Sequence, residues 1–301
     1  MHRALSTMRI RIVSPSGPID PALIDAAKRR LEAWGHCVTE GRFTRTSWGR
    51  FAATDEQRIS DLNDAFADPE VDAILCARGG YGLQRIIDKI KPSPKLVIGF
   101  SDITSLHQLM HTLGVPSLHS VMCKHIATLP EDSTPLLLLR QALDHPQIRI
   151  LNPQSLIHSR PGSARGSIIG GNLSVLYGLQ ATPYGLVNSR PMREGRGGSP
   201  ILLIEDVSER HYHIDRMLQN LRLSGVLAGL SGLIVGQFTD CPEDPGMNET
   251  IEETVLRAVA DYDYPVAFDF PVGHVENNLP LWLGRDVELT VTPTATTLTY
   301  L

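Results

Sequence analysis

The sequence predicts an α/β protein: a parallel sheet covered by helices on both faces, followed by a second, strand-rich module. Three observations predict it. Short apolar runs alternate with amphipathic runs of helical period through the first third of the chain, a rhythm that builds parallel sheets. Between about Leu129 and Ser167 the texture changes to LPEDSTP, DHPQ, LNPQ and SRPGSARG. Beyond it, apolar and β-branched runs dominate. At 301 residues two domains are expected, because single cores stop growing near ~250–300 residues.

The elements follow in order. Arg9–Val13 reads as a strand, Pro21–Trp34 as a helix, and a short strand starts near His36. Asp55–Ala67 is expected to be helical, Val71–Ala77 a strand, Leu83–Ile90 a helix and Lys95–Phe100 the next strand. From Asp102 to Leu113, the residues Ile103, Leu106, Leu109, Met110 and Leu113 recur at helical spacing until Gly114 stops the pattern. A short helix is expected at Leu136–Leu143. In the second half, Ile201–Ile204 and Gly232–Gln237 read as strands and His213–Ser224 as a helix. The terminal VELTVTPTATTLTYL is a strand or hairpin, because β-branched residues alternate along it. The expected organisation is a domain over 1–130, a connector over 131–164 and a second domain over 165–301.

Composition excludes several classes. With 42% hydrophobic and 20% charged residues, the chain is that of an ordinary globular protein. Net charge is −5, split unevenly: residues 1–150 carry 18 Lys and Arg against 16 Asp and Glu, the remainder 10 against 17. Neither half is basic enough for nucleic acid, and no aromatic-plus-basic platform appears. MHRALSTMRIRIVSPSG lacks the long apolar core of a secretory signal or anchor, and no segment approaches ~18 uninterrupted apolar residues. Cys37, Cys76, Cys123 and Cys241 are scattered without a CxxC pair, which fits a reducing cytoplasm.

Four constellations could carry chemistry. Arg78-Gly79-Gly80-Tyr81-Gly82 follows an apolar strand, and its glycines leave backbone N–H groups open to a phosphate or an oxyanion. It lacks the GK[ST] of a P-loop and the GxGxxG spacing, and a tight turn explains it equally well. Ser101 stands where a strand turns into a helix, with the free N–H groups of the helix start beside it. Simple helix capping is the competing explanation, and Asp102 suits the positive end of a helix dipole. Glu205-Asp206 closes the apolar run SPILLIEDV, where a carboxylate can orient a histidine or form a surface ion pair. His274 lies in the polar loop FDFPVGHVENNLP, beside Gly273. These are the parts of a Ser-Glu-His hydrolase, although spacing alone does not bring them together. His107 and His111, at i and i+4, lack the glutamate of HExxH and a third ligand, so no metal site is expected.

The ordered set CARGGYG, GFSDIT, GGNLSVLYGLQATP, LLIEDVSE with DRML, and FPVGH resembles the LD-carboxypeptidase family, which includes muramoyltetrapeptide carboxypeptidases and, as relatives, microcin C self-immunity proteins. The resemblance spans nearly the whole chain. It implies a Rossmann-like N-terminal domain and a smaller β-rich C-terminal domain with the active site between them. It also implies a serine peptidase with Ser101 as nucleophile, Glu205 as orienting acid and His274 as general base. The backbone N–H groups of Gly80 and Asp102 would be the oxyanion donors. The implied substrate is a murein tetrapeptide losing its terminal D-alanine in the cytoplasm, with no cofactor or metal; a homodimer is compatible with the family. Two alternatives stay open: a self-immunity-type amidase acting on an aminoacyl-nucleotide mimic, and a non-catalytic module holding a phosphate on RGGYG. The RHYHI before DRML departs from the more usual proline- and phenylalanine-containing version and bears on substrate choice.

Overall fold

The computed structural model describes residues 7–144, 149–152, 158–186 and 198–301. Residues 1–6, read above as part of an N-terminus without a signal, and stretches of the expected connector at 145–148 and 153–157 lie outside the described residues. The chain forms two compact units. One lies within Met1–Met110, Val115–Pro146 and Leu279–Trp282, the other within His111–Gly114, Gln147–Asn278 and Leu283–Leu301.

The first unit is built on a six-stranded sheet. Its strands are β1 (Arg9–Val13), β2 (Cys37–Glu40), β3 (Ala73–Cys76), β4 (Leu96–Gly99), β5 (Ser117–His119) and β11 (Leu281–Leu283), in the order β11-β5-β4-β3-β1-β2. From β2 through β5 the pairing is parallel. All four residues of β3 are buried, as a central parallel strand requires. Helix α1 (Pro21–Ala33) starts at Asp20, whose side chain accepts from the Ala22 N–H, with proline in the first turn. Helix α2 (Asp55–Ala67) starts with a capping box between Thr54 and Gln57. Helices α3 (Thr104–Thr112), α4 (Cys123–Thr128) and α5 (Thr134–Asp144) follow.

Leu83–Ile90 departs from its expected α-helix and forms two 3₁₀ turns, Leu83–Arg85 and Ile87–Lys89. Leu83, Ile86, Ile87 and Ile90 are buried, so the helical spacing was real. The segment is bounded by Gly82 at φ 128° and Pro92, too short a run to gain from α-helical propagation.

The second unit carries a seven-stranded sheet in the order β10-β9-β8-β7-β12-β13-β6. Its strands are β6 (Arg149–Asn152), β7 (Gly162–Asn172), β8 (Ile201–Val207), β9 (Gly232–Thr239), β10 (Val266–Ala267), β12 (Asp286–Val291) and β13 (Thr296–Tyr300). The long β7 pairs antiparallel with β12 through its first half and parallel with β8 through its second. The Thr-rich terminus is the β12–β13 hairpin. Helices α6 (Leu173–Leu179), α7 (His211–Leu223) and α8 (Ile251–Ala258) supply apolar residues to a core with β7, β8 and β9. The connector reading over 131–164 missed β6, which pairs with β13, and the start of β7. β6 is four residues long and buries two of them, too short an alternation to stand out from the Pro-rich text around it.

Candidate active site

Ser101 sits at a sharp corner. β4 ends at Gly99, Phe100 is fully extended at φ −151°, and Ser101 takes φ 69° as the first residue of a 3₁₀ turn, Ser101–Ile103, that leads into α3. The capping position therefore belongs to Phe100. A non-glycine residue in the left-handed region costs about 1–2 kcal/mol and persists where the surroundings impose it, often at functional sites. Gly79, in the loop after β3, makes the corner possible: a Cβ there would lie 2.7 Å from Ser101 Cβ and 2.9 Å from its Oγ. The adjacent Gly80 adopts φ 115°, which favours glycine.

Glu205 and His274 meet in the second unit. Glu205 is fully buried on β8, and its Oε2 lies 2.8 Å from His274 Nδ1. A carboxylate can only accept, so Nδ1 carries the hydrogen and Nε2 presents its lone pair. The strand geometry that frees this carboxylate is a bulge. Ile204 faces Val235 on β9, but Asp206 faces Phe238, leaving Gly236 and Gln237 opposite Glu205 alone. Gly236 lies so close that a Cβ there would be 3.2 Å from Glu205 Cβ and 2.7 Å from the Val272 carbonyl. Gly273, at φ 121°, lets the histidine loop pass the acid: a Cβ there would be 3.0 Å from Glu205 Oε2. Asn278 is fully buried and accepts from the Gly273 N–H at 3.0 Å, bracing the turn.

Asp206 faces elsewhere. It accepts from Asn172 Nδ2 at 3.0 Å and from the Ser174 N–H at 2.8 Å, securing the start of α6. Burial, then the neighbouring Glu205 charge, push its carboxyl up to about 6. For His274, burial of the ring opposes protonation. The hydrogen bond to Glu205 and the charges of Glu205 and Asp206 outweigh it, so its pKa is raised above the ordinary imidazole value.

His107 is a structural residue of the first unit. Its ring bridges the Ser117 hydroxyl at 2.8 Å and the Gly99 carbonyl at 2.9 Å, and burial lowers its pKa to about 4. RHYHI opens α7: His211 is buried against the Thr254 hydroxyl at 2.7 Å, while Tyr212 and His213 pack edge to face. Sequence reasoning missed two groups beside the candidate residues. Asn278 gave no signal in a polar loop. The Asp102 side chain does not sit exposed at a helix dipole: it is 2% exposed and accepts from Ser16 Oγ and the Leu83 N–H.

An α/β chain with a carboxylate-oriented imidazole and a serine at a strained strand end has the parts of a serine-type hydrolase. The comparisons with known proteins supply the family. Residues 10–120 match the LD-carboxypeptidase N-terminal domain and residues 165–289 the LD-carboxypeptidase C-terminal domain. The chain belongs to the LD-carboxypeptidase family. It is 32% identical, over 91% of its length and 86% of the relative's, to a Bacillus subtilis protein assigned as a murein peptide carboxypeptidase. It is 29% identical to the murein tetrapeptide carboxypeptidase of Pseudomonas aeruginosa, over 93% of this chain and 92% of that one. In fold it is similar to the muramoyltetrapeptide carboxypeptidase of Oxalobacter formigenes, with TM-score 0.85, 23% identity and coverage of 97% and 98% of the two chains. The microcin C7 self-immunity protein MccF, solved with aspartyl sulfamoyl adenosine, shares the fold at TM-score 0.81 and 19% identity, over 99% and 98% of the chains.

Proposed function

We propose that this chain is a serine-type LD-carboxypeptidase that releases the terminal D-alanine of a murein tetrapeptide, in the cytoplasm, during cell-wall recycling. The observation that carries the reading is the Glu205–His274 pair, whose hydrogen bond orients the imidazole with Nδ1 on the acid and assigns Nε2 the role of base. The names of the relatives support the substrate class. Among the described residues no helix is long and apolar enough to cross a membrane.

In this reading His274 Nε2 takes the proton of Ser101, whose Oγ attacks the carbonyl of the amide joining an L-centre to D-alanine. Glu205 stabilises the imidazolium that forms. The backbone N–H groups of Gly80 and Asp102 receive the oxyanion, and losing one such donor typically costs ~10²–10³ in rate. His274 then protonates the leaving amine, and water, activated by the same ring, hydrolyses the acyl-enzyme.

The test is incubation of the purified protein with murein tetrapeptide and, separately, with an aminoacyl sulfamoyl adenosine, read by mass spectrometry. Release of D-alanine with the nucleotide analogue left intact is the expected result. Cleavage of the nucleotide analogue with the tetrapeptide untouched would instead assign the chain to the self-immunity activity.

A further inference from the structure

The proposed oxyanion donors stand on two different loops, and something must hold those loops in register. Three of the five residues of the RGGYG loop, Gly79, Gly80 and Gly82, have no side chain with which to hold it, while Arg78 reaches the Pro18 carbonyl and Tyr81 packs beside Phe51. Gly80 and Gly82 occupy φ 115° and 128°, conformations that leave the unclamped chain many alternatives. We propose that the Asp102 side chain is a positioning residue: its carboxylate clamps the RGGYG loop against the nucleophile corner and so fixes the Gly80 N–H relative to the Asp102 N–H. This rests on the function proposed above and adds a role for a group that reading does not use.

The geometry is specific. Asp102 Oδ2 accepts two hydrogen bonds, 2.7 Å from Ser16 Oγ and 3.0 Å from the Leu83 backbone N–H. Ser16 belongs to the loop after β1, Leu83 directly follows the RGGYG loop after β3, and Asp102 lies in the turn after β4. β4, β3 and β1 are neighbours in the sheet, so one carboxylate joins the carboxyl ends of three adjacent parallel strands. Three further links run between the first two loops: the Gly17 N–H donates to the Gly79 carbonyl at 3.0 Å, Arg78 Nη1 donates to the Pro18 carbonyl at 2.7 Å, and Arg58 Nη1 donates to the carbonyls of Pro15 and Gly82. Arg58, Ser16 and Asp102 are all buried. Of these groups, Asp102 is the one in the same turn as Ser101. Burying a carboxylate costs several kcal/mol unless its hydrogen bonds are well made. A serine-to-helix corner needs no such group, since an exposed acid serves a helix dipole equally well. A buried acid that reaches away from its own helix to a serine and a backbone amide on other loops is built to hold those loops.

The experiment compares wild type with Ser16→Ala, Asp102→Ala and Asp102→Asn. It measures Tm, kcat and KM for D-alanine release from murein tetrapeptide, and the rate at which a fluorophosphonate labels Ser101. A displaced donor weakens the transition state and leaves ground-state binding alone, so kcat in Asp102→Ala is expected to fall by ~10-fold or more with KM within about twofold. Labelling should slow in parallel. Ser16→Ala, which keeps the carboxylate and its bond to Leu83, should fall less. Asp102→Asn, whose amide oxygen can accept the same two bonds, should recover much of the loss. A purely structural role would lower Tm while the folded fraction kept wild-type kcat and labelling rate, and that result overturns the clamp. If Asp102→Ala does not fold, Ser16→Ala decides: wild-type kcat in that folded variant overturns the proposal. Failure of the clamp alone leaves wild-type labelling and D-alanine release intact. A wild-type protein that neither labels nor releases D-alanine ends the proposed function and takes the clamp with it.

Discussion

Glu205 Oε2 and His274 Nδ1 are 2.8 Å apart although 69 residues separate them in the chain. The contact depends on a bulge opposite Glu205 and on glycines at 236 and 273 that let two backbones approach the buried acid.

In the proposed mechanism the pair sets the pH dependence. His274 must be neutral to act as a base, and its pKa is raised above 6.5 in the folded protein. The acid limb of kcat/KM is therefore expected to have its midpoint above that ordinary value, and Glu205→Gln should move it downward as it lowers the rate. For stability the sign follows from the same shift. A raised folded-state pKa contributes stability that is fully present below the unfolded value and lost as pH rises through the folded one. Thermal melts of wild type and Glu205→Gln across pH 5 to 9, a range chosen about the ordinary imidazole value, should converge toward the alkaline end. A margin that grows with pH would contradict the assignment.

Glu205 and Asp206, adjacent and both buried, should separate by phenotype. Glu205→Gln removes the charge proposed to stabilise the imidazolium and is expected to cut kcat by at least ~10²-fold, with a Tm close to wild type at the alkaline end of the range. Asp206→Ala leaves Ser174 N–H and Asn172 without their acceptor, costing ~1–3 kcal/mol of stability while the folded enzyme keeps most of its kcat. A reversed pattern in paired kinetics and melts would reassign the orienting acid.

Asn278→Ala should loosen the histidine turn. The Gly273 N–H would lose its buried acceptor, a cost of ~1–3 kcal/mol. Gly273→Ala adds a Cβ 3.0 Å from Glu205 Oε2 at a φ of 121° and should be the more damaging to kcat. Imidazole NMR would report both as a weakened Nδ1 hydrogen bond.

The left-handed φ of Ser101 predicts a trade between stability and function. Ser101→Gly and Ser101→Ala should both be inactive. Glycine should be the more stable by about 1 kcal/mol, because it adopts that conformation without strain. Equal denaturation midpoints would mean that the corner stores no strain.

Much of this site could be read in the sequence where its signals are local. The apolar run before Ser101 and the helical spacing after it mark a strand turning into a helix within about twenty residues, and β8 is an uninterrupted apolar run ending in two acids. What could not be read depends on distant approach. Nothing in VGHVENN says which strand end the histidine faces, and Gly236 looks like any strand glycine until the register of β8 and β9 exposes the bulge. The Asp102 side chain reads as a dipole partner in the sequence because its donors, Ser16 and Leu83, lie 86 and 19 residues away. Resemblance to the family implies the roles that spacing leaves open.

The most direct test is stereochemical. Purified protein is given two otherwise identical murein peptides, one ending in D-alanine on an L-configured centre and one ending in D-Ala-D-Ala, and free D-alanine is followed with Ser101→Ala as control. The account predicts release from the first peptide alone and none from either by the alanine variant. Equal cleavage of the D,D peptide, or full activity in Ser101→Ala, would contradict it.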